Sequence, residues 1–128
     1  MYVTDTHPFV HHLQQKHSRL GRKSQRLFKD ADAGKTLIYV PSIVLWEIGR
    51  RNGLLEPTEK FDSWCRNLNA EQGYAIAPLE WQDVHEARGL PFRDPVDCLI
   101  AGTAIRFGYP LITKDQVIVD SGLVETVW

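Results

Sequence analysis

The sequence predicts a single α/β domain, with a central, mostly parallel sheet of four to five strands flanked by helices. Three observations predict it. The chain has 128 residues, room for one domain around one hydrophobic core. Its apolar and charged fractions, 43% and 24%, are those of a globular protein that needs no disulfide or metal staple. Short β-branched runs alternate along it with amphipathic stretches, the order expected where crossover helices link parallel strands.

The elements follow in order. Met1–Thr4 is an apolar, β-branched run that reads as a strand and stops at Asp5. Pro8 suits the first turn of a helix whose apolar stripe is Phe9, Val10 and Leu13. Ser18–Ala33 carries a second helical pattern through Leu20, Leu27, Phe28 and Ala31, weakened at Gly21 and ended at Gly34. Thr36–Val40 predicts a strand that stops at Pro41. Ser42 is placed to cap a helix through Ile43, Val44, Leu45, Trp46, Glu47 and Ile48, with Asn52-Gly53 as its stop. Pro57 and Thr58 open another, on which Phe61, Trp64, Cys65 and Leu68 recur at three and four, and Gly73 ends it. Tyr74–Leu79 reads as a strand interrupted at Pro78, Glu80–Leu90 as a short helix and Pro91–Arg93 as a loop. Asp94–Phe107 is the best-defined helix: Asp94 suits the N-cap, Pro95 the first turn, and Gly108 the C-terminal stop. Pro110–Thr113 predicts a strand, Val117–Val119 is apolar, and Val124–Trp128 predicts a last short strand.

Fifteen Lys+Arg oppose sixteen Asp+Glu, a net charge of −1, so bulk charge does not argue for a nucleic-acid partner, and only a local basic patch could serve one. No apolar run approaches the roughly 18 residues of a membrane span. The N-terminus has neither a basic region nor an apolar run, so no secretory signal and a soluble, cytoplasmic domain are expected. Cys65 and Cys98 form no metal or disulfide spacing and read as buried, reduced thiols. Trp46, Trp64 and Trp81 read as core residues, with interface anchors as the alternative. His7, His11, His12 and His17 lie close in sequence, but without a ligand motif they read as structural or surface residues rather than a zinc site; His7, near Asp5, is also placed to touch substrate.

Four acids fall where an open parallel sheet binds ligands, beyond the carboxyl ends of its strands. Asp5 ends the first strand and Asp115 follows Ile112-Thr113; Asp97 opens the helix leading to that strand, and Glu47 sits mid-helix among apolar residues, where an unpaired charge is costly. Each has an ordinary alternative. Asp5 and Asp115 suit helix caps, Asp94 and Asp97 together resemble a capping box, and Glu47 can pair with Arg50 or Arg51. If the four converge, repulsion among them is relieved most simply by a divalent cation, and an all-oxygen donor set suits Mg²⁺ or Mn²⁺ rather than zinc. Such an ion lowers the pKa of a bound water and stabilises charge on a phosphoryl oxygen, the chemistry of phosphodiester hydrolysis.

Four segments, in this order, resemble the PIN-domain ribonucleases, and most of all the VapC-type toxins of type II toxin–antitoxin systems. They are Tyr2-Val3-Thr4-Asp5-Thr6-His7, Val40-Pro41-Ser42-Ile43-Val44-Leu45-Trp46-Glu47-Ile48, Phe92-Arg93-Asp94-Pro95-Val96-Asp97-Cys98-Leu99-Ile100-Ala101-Gly102-Thr103-Ala104, and Leu111-Ile112-Thr113-Lys114-Asp115. The resemblance implies a PIN-like three-layer fold over residues 1–128 and a Mg²⁺-dependent endoribonuclease toxin. Its acidic tetrad would be Asp5, Glu47, Asp97 and Asp115, binding metal chiefly through Asp5 and Asp97, with Glu47 and Asp115 completing the shell directly or through water. Asp94 matches an extra acid of one branch of the family, beside the metal ligands. Where that branch often has an Arg after its third acid, this chain has Cys98. Thr113 is placed to hydrogen-bond a carboxylate or a water ligand, and Arg93, Lys114, Arg50 and Arg51 to hold RNA phosphates. The implied partners are RNA, a small VapB-type antitoxin and a second copy of the chain.

Two other functions are open at this stage. One is an aspartyl-phosphate α/β protein, against which stands the lack of a second acid in Asp5-Thr6-His7. The other is a PIN-fold RNA- or protein-binding module with weak or lost catalysis, against which stands the presence of all four acids.

Overall fold

A computed structural model of the chain describes residues 1–51 and 60–128; the expected helix stop at Asn52-Gly53 and start at Pro57-Thr58 lie outside them. β1 (Tyr2–Thr4) leads to α1 (Thr6–Leu13), a 3₁₀ turn (His17–Arg19) and α2 (Arg22–Asp32). β2 (Ile38–Pro41) leads to α3 (Ser42–Arg50) and α4 (Phe61–Ala70), and β3 (Tyr74–Ala77) to α5 (Trp81–Ala87) and α6 (Pro95–Phe107). β4 (Leu111–Ile112), α7 (Gln116–Ser121) and β5 (Thr126–Val127) complete the order. The strands align as β3-β2-β1-β4-β5, every pairing parallel. This is the parallel sheet the strand–helix alternation predicts.

A parallel sheet is covered on both faces, so its strands bury consecutive residues instead of alternating ones. Ile38, Val40, Leu111 and Ile112 are all fully buried, as is Val3 at the centre. β1 lies in the middle, and the chain leaves it in one direction to β2 and β3 and in the other to β4 and β5. The carboxyl ends of β2, β1 and β4 are therefore neighbours at a topological switch point, where open sheets bind ligands.

Several boundaries differ from expectation for local reasons. The helix expected from Ser18 is two elements: a 3₁₀ turn over His17–Arg19, then α2 from Arg22 with Gly21 as its N-cap. Pro41 belongs to β2 rather than ending it, at the strand's last pairing, opposite Ala77. Ser42 does not cap α3; its hydroxyl donates to the Ala77 carbonyl (3.0 Å) and ties the helix start to β3. β3 ends at Ala77, before Pro78, and the helix expected over Glu80–Leu90 spans Trp81–Ala87. Gly73 does more than end a helix: a Cβ there would stand 1.8 Å from the Ala31 carbonyl oxygen, so only glycine admits this approach of α2 to β3.

Of the three tryptophans expected in the core, only Trp64 packs against it. Trp46 is 49% and Trp81 73% exposed, because each points outward from its helix. Cys65 and Cys98 are free, as expected, but half-buried rather than buried; burial pushes both thiols above their usual pKa.

The packing of α5 on α6 rests on a feature the hydrophobic pattern does not show. Asp83 is fully buried; it accepts the Glu80 amide (2.8 Å), closing the first turn of α5, and pairs with the guanidinium of Arg106 on α6. Alongside, Gly102 lets the helices touch: a Cβ there would lie 2.6 Å from the Asp83 carbonyl oxygen. Gly102→Ala is expected to force the helices apart and cost about 2 kcal/mol. A thermal or urea denaturation midpoint equal to wild type would contradict this account of the contact.

Candidate functional site

Asp5 is the residue on which the site is built. It stands immediately past β1, 5% exposed, and begins α1, its Oδ1 accepting the Thr6 amide at 2.7 Å. Its Oδ2 accepts the hydroxyl of Thr113 at 2.7 Å. Thr113, itself 1% exposed, in turn accepts the backbone amide of Asp115 at 3.1 Å. One buried hydroxyl thus fixes two acids from the ends of adjacent strands. Burial is the main reason the Asp5 carboxyl is raised above the usual carboxylate range; the Thr113 and Thr6 bonds and nearby His7 pull against it, and Asp115 adds to it.

Asp115 does cap a helix, as its ordinary alternative requires. Its Oδ1 accepts the amides of Val117 (2.9 Å) and Ile118 (3.2 Å) at the start of α7, which leaves Oδ2 for a second role. Glu47 pairs with neither Arg50 nor Arg51. Its Oε1 accepts the hydroxyl of Thr6, while Arg50 lies over the Trp46 ring, 4.6 Å from its centre. Sequence reasoning misses Thr6. It is 1% exposed and uses its amide on Asp5 and its hydroxyl on Glu47, joining the α3 acid to the β1 acid. Its only signal is its place, a hydroxyl directly after a strand-end acid.

Asp94 and Asp97 divide the roles that a capping box would have shared. Asp94 alone caps α6, accepting the Val96 amide at 2.9 Å. Half-buried Asp97, two residues further on, makes no hydrogen bond among the described residues and stands in the field of the other acids. Burial first, then the charges of Asp5, Asp94, Asp115 and Glu47, push its carboxyl up to about 7. The fold therefore links Asp5, Glu47 and Asp115 through Thr6 and Thr113, and sets Asp97 in the field of those three acids and of Asp94.

The other candidates are placed less centrally. Arg93 and Lys114 are exposed; Lys114 lies over the Trp128 ring, 5.6 Å from its centre. His7 is exposed at the start of α1. His11, His12 and His17 lie at or beyond the opposite end of that helix, where His12 meets Asp32 (3.2 Å) and the Tyr74 hydroxyl (3.2 Å) and stacks on Phe28. Among the described residues, no group of three or more His, Cys, Asp or Glu stands ready to hold a metal ion. Mg²⁺ usually keeps several waters and takes only one or two carboxylates directly. The all-oxygen donor set fits that ion.

The crowding has a thermodynamic signature. In the unfolded chain Asp97 returns to an ordinary value near 3.8, so between that pH and about 7 the folded state holds the extra proton. Stability of the metal-free protein should then fall as pH rises through this window. Asp97→Asn should shrink the fall, leaving the part due to Asp5, and stabilise the metal-free chain at pH 8 by about 1 kcal/mol, a value reduced for solvent screening of a half-buried group. Denaturation midpoints that rise with pH across this window, or a destabilised Asp97→Asn, would contradict the repulsion.

Comparison with known proteins agrees with this architecture. The chain is similar in structure to VapBC2 from Rickettsia felis, solved bound to a DNA fragment from its promoter: the TM-score is 0.68 and the identity 18%, over 98% of this chain and 96% of that one. It is also similar to a toxin–antitoxin complex from Klebsiella pneumoniae, with a TM-score of 0.65 and 15% identity over 100% of this chain and 97% of that one. At these identities the likeness is one of fold. No curated protein matches the sequence. The family model for the PIN domain matches residues 2–120, nearly the whole length, and the chain belongs to the PIN domain family.

Proposed function

We propose that this PIN domain is a Mg²⁺-dependent endoribonuclease, with Mn²⁺ as an alternative ion, and that it acts as the toxin of a type II toxin–antitoxin pair. The observation that carries the reading is the pair of threonine bridges at the carboxyl edge of the sheet. Thr113 joins Asp5 to Asp115, and Thr6 joins Asp5 to Glu47. A fold gains nothing by holding acids so close unless something positive sits among them.

PIN domains are nucleases, and the chemistry follows from the residues. Asp5 and Asp97 would hold the cation chiefly, with Glu47 and Asp115 completing its shell directly or through water. When bound, such an ion supplies Lewis acidity that activates water and stabilises charge on a phosphoryl oxygen. Thr113 keeps the Asp5 carboxylate turned toward the site. Glu47, with Oε1 held by Thr6, keeps Oε2 to accept a hydrogen bond from an attacking water. Arg93 and Lys114, and Arg50 on the other side, are the cations available to RNA phosphates. Asp94, as the cap of α6, aims the first turn that carries Asp97.

The biological setting is inferred more coarsely. One similar structure is VapBC2 and the other a toxin–antitoxin complex, which supports a small VapB-type antitoxin as partner. A homodimer and a cytoplasmic location complete the reading; no described helix is long and apolar enough to cross a membrane. The aspartyl-phosphate alternative has no support from the family assignment.

RNA cleavage by the purified chain tests this directly. Asp5→Asn and Asp97→Asn should each lower the rate on the order of a hundredfold or more, and a chelator should stop wild-type cleavage until Mg²⁺ or Mn²⁺ is restored. Undiminished cleavage by Asp97→Asn, free of contaminating nuclease, would overturn the assignment. A wild-type chain that binds RNA but never cuts it would favour the binding-module alternative.

A further inference from the structure

Resting on the nuclease reading above, we propose that His7, His11, Arg19 and Lys114 form a binding site for the backbone phosphate next to the scissile one, so that the RNA leaves the acids along the outer face of α1. Separate segments build this cluster. His7 and His11 are four apart on α1, on one face and about 6 Å apart along its axis; His7 is exposed and His11 half-buried. Beyond α1 the chain doubles back. The Lys16 amide donates to the His11 carbonyl at 2.8 Å and the Arg19 amide to the Lys16 carbonyl at 3.0 Å, which returns exposed Lys16 and Arg19 to the end of the helix. Trp128 brings in the last segment. It lies against Gly21, where a Cβ would stand 2.5 Å from the Trp128 Cδ1, and Lys114 lies over its ring, 5.6 Å from the centre. Lys114 is thereby held beside the turn that carries Arg19, two residues before Gly21.

The meeting of these segments shows at His11. Its Nδ1 is shielded from solvent and has no hydrogen-bond partner among the described residues. Burial first, then the charges of Arg19, Lys114, His7 and Lys16, hold its imidazole below the usual pKa. Every charge in that set is basic. His12, the next residue, stands instead against Asp32 at 3.2 Å. In a chain whose net charge is −1, basic groups are gathered here from α1, the turn after it and the segment after β4. Their mutual repulsion is relieved most simply by an anion.

The position of the cluster favours a polynucleotide over an acidic protein segment. It adjoins the acids: Lys114 directly precedes Asp115, and His7 is near enough to Asp5 to pull its pKa down. An acidic peptide reaching this place would run past Asp5 and Asp115 and be repelled by them. A strand with one phosphate at the metal-binding acids meets the basic cluster with the next. Such a contact sees charge and not base identity, so it positions the strand without reading its sequence.

The test uses the full chain carrying Asp97→Asn, so that bound RNA stays intact, with a short fluorescent single-stranded RNA. Arg19→Gln should weaken binding roughly fivefold and lower its salt dependence by about one phosphate contact, at unchanged melting temperature. Arg19→Lys, which keeps the charge, should retain both. Lys35→Gln, exposed between α2 and β2 at the other end of the sheet, should change neither. The His11 imidazole, followed by NMR, should take up its proton at a higher pH with RNA bound than without. Of two RNAs each extended on one side of the scissile bond only, Arg19→Gln should weaken one and spare the other. Equal effects on both extensions, wild-type affinity and salt dependence in Arg19→Gln, or an unmoved His11 pKa overturns the proposal. Weakened binding of a polyglutamate peptide with RNA affinity unchanged overturns it in favour of a protein segment. If wild type cleaves RNA while these variants bind it normally, only the phosphate site fails; if wild type neither binds nor cleaves RNA, the nuclease reading fails with it.

Discussion

The hydroxyl of Thr113 is the point on which the site depends. It is buried, comes from the segment after β4, donates to a carboxylate at the end of β1 and accepts the amide that carries the next acid. Residues 108 positions apart in the chain are held within hydrogen-bond reach by it. A buried carboxylate in low dielectric is tolerated only when its oxygens are satisfied, and Thr113 and the Thr6 amide satisfy those of Asp5. Without that pair, burial would drive Asp5 toward its neutral form, and a neutral acid attracts no cation.

The same arrangement shows how the protein separates holding the acids from using them. Thr6, Thr113 and the α7 amides take one oxygen or one lone pair each from Asp5, Glu47 and Asp115. Oε2 of Glu47 and Oδ2 of Asp115 accept no hydrogen bond among the described residues. Asp97 is treated differently: no side chain or amide among the described residues bonds it, and burial together with the charges of the other acids raises its affinity for protons. It is the acid with most to gain from a cation. Pre-organised repulsion of this kind trades fold stability for a site that is assembled before its ligand arrives.

Much of this was legible in the sequence because it depends on patterns with a fixed period. Strand–helix alternation predicts the parallel sheet, and the rule that ligands sit past strand ends points to Asp5 and Asp115 before any contact is known. Asp94-Pro95 marks the start of α6 because cap and first-turn chemistry are local. What was not legible depends on approach between distant segments. Thr6 has no signature apart from the partner it meets across forty-one positions. Gly73 and Gly102 look like ordinary glycines until Ala31 and Asp83 are placed against them. Trp46 reads as core because composition alone cannot tell which side of a short apolar helix faces out; its exposure follows from Val44, Leu45 and Ile48 taking the inner face.

The central claim is that the acids at the carboxyl edge of the sheet jointly hold one hard dication. Mn²⁺ titration of the intact chain, followed by electron paramagnetic resonance, addresses it without relying on an RNA substrate. The account predicts a bound Mn²⁺ population that Mg²⁺ displaces and that Asp5→Asn and Asp97→Asn each abolish, with Thr113→Val weakening it through the loss of Asp5 orientation. A Mn²⁺ population unchanged in both aspartate variants, or none in the wild-type chain, would contradict it.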